Sequence, residues 1–154
     1  MADIYVGSLE PGLDIGIDTS GHQFGWLSAD QGTLTLAYPD QQIFGVMFIT
    51  VGMPVPPGNR PSVDLSQYRS LTAEMRWGGR GDGCVRLGVK DKTQPDDGSE
   101  TTVRECLATT WSTIRIPLSA FTGADLMHLY VVFEVVFGNQ GMIIQLRNIR
   151  YSAN

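Results

Sequence analysis

The chain has 154 residues with 42% hydrophobic content, which suits one domain over 1–154, able to bury roughly two thirds of its unfolded surface. Its 18 glycines and 8 prolines, with few long charged or Ala-rich stretches, favour many short strands joined by turns over helices. A net charge of -5 with 11 scattered basic residues argues against a nucleic-acid surface, and nothing approaches the ~20 apolar residues that span a membrane.

The amino-terminal end lacks a basic segment followed by an apolar core, so no signal peptide is expected in it. The chain is then either cytoplasmic or a piece of a secreted parent protein. Residues 3–26 hold short apolar runs broken by glycine, fitting edge strands or a covering segment. Residues 32–38 alternate cleanly, with Leu34, Leu36 and Tyr38 inward, and Pro39-Asp40 stops the strand. Residues 43–51 form an apolar run read as buried on both faces. Residues 52–61, with prolines at 54, 56, 57 and 61, are expected to be a long surface loop. One helical turn is expected at 64–68. A strand at 71–77 turns Leu71, Ala73, Met75 and Trp77 to one face, with Glu74 and Arg76 opposite.

A turn at 78–83 leads to a strand at 84–90 whose polar face carries Arg86 and Lys90. The polar loop 91–99 and a strand at 100–107 follow. If that loop closes a hairpin, Cys84 stands opposite Cys106, and a cross-strand disulfide or two free buried thiols are both compatible with the sequence. Residues 111–121 alternate, Ile114, Ile116 and Leu118 against Thr113, Arg115 and Pro117. The run Leu129–Phe137 is apolar except for Glu134, and reads as a central strand paired with 43–51. A carboxylate there costs several kcal/mol unless it is paired or faces a wet groove. A last strand spans 142–151. About ten short strands, two of them buried on both faces, predict an all-β, two-sheet antiparallel β-sandwich of jelly-roll type, with one sheet curved into a groove.

Several segments carry a family likeness: Tyr68-Arg-Ser-Leu71; Val85-Arg-Leu-Gly-Val-Lys90-Asp91; Trp111-x-Thr-Ile-x-Ile-Pro117-Leu-Ser-x-Phe121; Leu126-x-x-Leu-Tyr-Val-Val-Phe133-Glu134; and Arg147-Asn148-Ile149-Arg150-Tyr151. Over residues 34–151 this pattern resembles the galactose-binding-like β-sandwich of many carbohydrate-binding modules. The resemblance implies a non-catalytic module, tethered in a secreted parent to a catalytic or other domain, that holds a soluble or amorphous β-glycan along a groove. Many relatives carry an acidic residue before Asn-Ile that serves a structural calcium. Arg147 stands there in this chain, a departure from that pattern, so no cofactor is expected and a structural calcium is left only as the alternative.

Strand parity allows Glu74, Arg76, Arg86, Lys90, Tyr130 and Glu134 to share the face opposite the core. Arg, Lys and Glu hold sugar hydroxyls through directional hydrogen bonds, and aromatic rings stack on C–H faces. A salt-bridged sheet face without ligand would use the same residue types. Trp26, in a glycine-flanked segment, and Trp77, at a strand end, are candidate stacking platforms, whereas Trp111 is expected in the core. Asp91, Asp96, Asp97 and Glu100 offer oxygen ligands for calcium, but their spacing does not match an EF-hand loop and a solvated turn is the plainer account. Arg80-Gly81-Asp82 is a tripeptide that arises often by chance in Gly-rich turns. His22 and His128 are too few for a metal site. For hydrolysis, Glu74 and Glu134 are the one attractive carboxylate pair. A sugar-binding module is thus the first expectation, an interaction domain of the same fold the second, and a small jelly-roll glycosidase the third.

Overall fold

The computed structural model describes residues 2–18, 25–40, 45–98, 101–137 and 140–154. The segment 21–24, residues 43–44 and Glu100, to which strand or loop roles are assigned above, lie outside them. Among the described residues twelve strands are shared between two antiparallel sheets: β1 (Asp3–Val6), β2 (Ser8–Leu9), β3 (Leu13–Ile17), β4 (Leu27–Asp30), β5 (Thr33–Ala37), β6 (Gly45–Val51), β7 (Ser70–Gly79), β8 (Cys84–Asp91), β9 (Thr101–Cys106), β10 (Ser112–Pro117), β11 (Leu129–Phe137) and β12 (Met142–Ser152). The seven-stranded sheet runs β10-β7-β12. The first half of β12 then pairs with β5, which carries β4, and its second half pairs with β1, which carries β2. The five-stranded sheet has the order β3-β6-β11-β8-β9.

The alternating apolar residues meet between the sheets. Leu34, Leu36, Leu71, Met75, Ile144 and Leu146 come from the larger sheet, and Met47, Ile49, Leu87, Phe133 and Val135 from the smaller. Each such side chain contributes about 1.5–3 kcal/mol when fully buried. The Tyr151 hydroxyl donates to the Val132 carbonyl at 2.7 Å and ties the two layers together. As the apolar runs predict, β6 and β11 pair at the centre of the smaller sheet, with Ile49 opposite Phe133 and Phe48 opposite Glu134.

Residues 64–68 form a turn rather than a helical one, with the Tyr68 amide donating to the Leu65 carbonyl at 3.2 Å. The strand begun at Ser112 stops at Pro117, and Leu118–Ala120 is a short 3-10 segment that still buries Leu118. The β8–β9 hairpin has the expected register, with Cys84 opposite Cys106, and the two are joined by a disulfide. It closes a sequence separation of 22 residues, so reduction should remove about 3 kcal/mol and lower the Tm by on the order of 10 °C. Thiol titration of the unfolded, unreduced chain should find no free thiol, and finding two would refute the bond.

Candidate functional site

The outer face of the five-stranded sheet is a groove of about 690 Å³. One row across its floor reads Gly16, Phe48, Glu134, Gly88, Thr102 on five successive strands. The two glycines make this row possible. A Cβ on Gly16 would lie 2.9 Å from the Phe48 ring, and one on Gly88 would lie 2.9 Å from Glu134 Oε1. Side chains at those positions would collide with the aromatic ring and the carboxylate. Phe48 is half-buried, the interior residue of β6 with most exposure, while Glu134 is only 3% exposed. Irregular pairing of β11 near Val131 lets both Tyr130 and Val131 line the same cavity.

One wall of the groove is made by two loops that the sequence presents as solvated. The proline-rich loop is fastened to β11: the Val55 amide donates to the Tyr130 hydroxyl at 2.9 Å, and that hydroxyl faces the Val55 carbonyl at 3.4 Å. Arg60 lies inside this wall with its side chain 2% exposed and its guanidinium 4.4 Å from the Tyr130 ring centroid. Its Nε donates to the Val55 carbonyl, its Nη1 to the Gln94 carbonyl and its Nη2 to Asp96 Oδ2 at 2.6 Å. The other oxygen of Asp96 accepts from Lys90 Nζ at 3.0 Å. Asp96 thus bridges the loop after β6 to the floor strand β8. Burial raises the Asp96 pKa, but the hydrogen bonds from Arg60 and Lys90 outweigh it and hold the carboxyl below its ordinary value.

Three of the sequence candidates, Lys90, Tyr130 and Glu134, are brought together in this groove. Arg86 is on the same sheet but exposed, opposite Val136 and Arg104, and outside the cavity lining. Glu74 and Arg76 are not on this face at all, because β7 belongs to the other sheet. The carboxylate pair Glu74 and Glu134 is therefore split between opposite faces of the sandwich and cannot flank one glycosidic bond. Trp26 is 3% exposed and packs edge-on against Tyr38, so it is a core residue and not a stacking platform. Trp77 packs against the core with Gly83 beneath its indole. Trp111, expected inside, stands on the outer face of the larger sheet against Arg76 and Arg147. Asp91 accepts from the Thr93 and Asp125 amides while Asp96 accepts from Arg60 and Lys90, and among the described residues no group of carboxylates, histidines and cysteines is arranged to hold a metal.

Solved structures share this fold. A family 29 carbohydrate-binding module variant bound to mannohexaose superposes with a TM-score of 0.63 at 14% identity, covering 99% of this chain and 89% of that one. A variant bound to cellulohexaose gives 0.64 at 15% identity with the same coverage, and a further family 29 module gives 0.64 at 16% identity, covering 99% and 87%. The fold is that of the family 29 carbohydrate-binding modules. No protein-family model and no curated protein matches the chain.

Phe48 and Arg60 are not among the residues the sequence singles out, and Asp96 stands out there only as an oxygen ligand for calcium or part of a solvated turn. Arg60 carries a usable signal, being the one charged residue in 52–63, a segment otherwise of Pro, Gly and small or apolar residues. Such a residue amid prolines points inward to a partner more readily than a charge in a polar loop. Phe48 carries none, since an apolar run reads alike whether its second face meets the core or a groove.

Proposed function

We propose that the chain is a non-catalytic carbohydrate-binding module that holds a β-glycan across the floor of the five-stranded sheet. The observation that carries this is the floor row, where a half-buried aromatic ring and a carboxylate lie side by side between two glycines. The ring offers a surface for sugar C–H groups, the carboxylate accepts from sugar hydroxyls, and Lys90 at the wall donates to them. The oligosaccharide complexes of the family 29 neighbours support this reading, as does the cross-strand disulfide a secreted setting as one module of a larger parent.

Affinity electrophoresis over soluble glucans, xylans, mannans and chitin oligomers tests the proposal. Retardation by at least one β-glycan is expected, with no release of reducing sugar. A chain that ignores every glycan is an interaction domain of this fold, and one that releases reducing ends is a glycosidase.

A further inference from the structure

A second constellation occupies the outer face of the seven-stranded sheet, on the side of the sandwich away from the groove. Four of the 11 basic residues, Arg76, Arg115, Arg147 and Arg150, project there beside two acids, Glu74 and Asp3, on a chain whose net charge is -5. Trp111, just before β10, holds two of these cations. The Arg147 and Arg76 guanidinium carbons lie 4.1 Å and 4.6 Å from its ring centroid. Hydrogen bonds fix both further. Arg76 Nε donates to Gln145 Oε1 at 2.6 Å, and Arg147 donates from Nε and Nη2 to Glu74 Oε1 at 3.2 and 3.1 Å. Asn148 Nδ2 donates to the other oxygen of Glu74, and with Arg147 this keeps the carboxyl ionised, its pKa below the ordinary value.

Both terminal nitrogens of Arg76 and Nη1 of Arg147 have no acceptor among the described residues. Two arginines are thereby held in fixed planes, their rotamer freedom already spent on Trp111, with donors left over. A planar guanidinium edge with two parallel N–H groups matches a carboxylate. Beside it lies a depression of about 320 Å³ lined by Glu74, Arg115, Arg150, Thr72 and Thr113, with the Thr72 hydroxyl donating to the Arg150 carbonyl at 3.3 Å. Such a border suits a molecule rich in hydroxyls. Glu74 would repel a densely charged polyanion, so the face favours a ligand that spreads single carboxylates among hydroxyl groups.

We infer that this face is a second carbohydrate site, selective for hexuronate residues of an acidic glycan. Arg76 and Arg147 take the sugar carboxylate, Glu74 and the threonines take ring hydroxyls, and Trp111 is a positioning residue for the two guanidiniums. A chain with a neutral-glycan groove on one sheet and this site on the other would join two kinds of polysaccharide, but the second site stands whether or not the groove binds.

The test is an NMR titration of the full chain with a tetragalacturonate at low salt, beside its fully methyl-esterified form. Amide shifts are expected in β7, β10 and β12 together with the Trp111 indole N–H, weakening as salt is added. The ester should leave these signals unmoved. Arg76→Gln, at a half-buried surface position, should keep the dispersed spectrum of a folded chain and weaken uronate binding roughly tenfold, as expected for a lost charge-assisted pair. Glu134→Gln, in the groove, should leave it unchanged. Shifts confined to the groove, equal binding of acid and ester, tighter binding of a sulfated tetrasaccharide, or an Arg76→Gln variant that binds like the parent would each overturn the assignment.

Discussion

Arg60→Ala should lower stability by about 2–3 kcal/mol and weaken binding in the groove. The side chain makes three hydrogen bonds to two loops and lies over the Tyr130 ring, so truncation removes the donor to each of the Val55 and Gln94 carbonyls and to Asp96 and leaves a gap against the floor strand. The ionic part of the cost is modest because the Asp96 side chain is 55% exposed. Most of the loss comes from buried donors and packing. Arg60→Lys keeps the charge but not the fork, and should fall between the two. Acid should loosen the same wall. The folded Asp96 carboxyl titrates below its ordinary value of 3.8, so its contribution is present above that pH and is lost as pH falls through the lower folded value. Urea denaturation of parent and variant at neutral pH and near pH 3 measures both effects. An unchanged midpoint for Arg60→Ala would mean that the loop is not held by this residue.

The wall also marks the boundary of what the sequence reveals. Local pairing was legible: Cys84 opposite Cys106 follows from a short polar loop between two alternating runs, and β6 beside β11 from their shared apolar character. Which sheet a strand joins was not. The turn at 78–83 looks like a hairpin, and a hairpin would place Glu74 and Arg76 on the same sheet as Arg86 and Lys90. Instead it carries the chain across from one sheet to the other, with Gly79, Gly81 and Gly83 at positive φ. Parity fixes a residue's face relative to its own sheet, and a turn that changes sheet exchanges one outer face for the opposite one.

Trp111 teaches a different point. The alternation that puts Ile114 and Ile116 inward puts Thr113, Arg115 and therefore Trp111 outward. Its family-typical position at the opening of the strand suggests the core, but the period-2 pattern gives the observed place. The loops forming the groove wall were illegible for another reason. Their contacts, Arg60 to Asp96 and Tyr130 to Val55, join segments 36 and 75 residues apart through side chains, and no periodicity encodes such pairs.

Glu134→Gln should leave the fold intact and cost roughly 1–3 kcal/mol of glycan affinity, about five- to 150-fold. The carboxylate lies 3% exposed on the floor between Phe48 and Gly88, and the substitution keeps its shape while removing its charge. The neutral amide keeps one acceptor oxygen with two lone pairs, but without the strength of an ionised acceptor. It also adds donors that a site shaped around an acceptor does not need. Stability should stay close to the parent's, since the substitution keeps the shape of a side chain packed on the floor. Isothermal titration with the glycan selected by electrophoresis, run beside thermal unfolding, separates the alternatives. Lower stability with unchanged affinity would make Glu134 a structural residue of β11 and remove it from the site. Retained binding with lost hydrolysis would make it catalytic. Loss of affinity in a chain as stable as the parent places the ligand on the Phe48–Glu134 row.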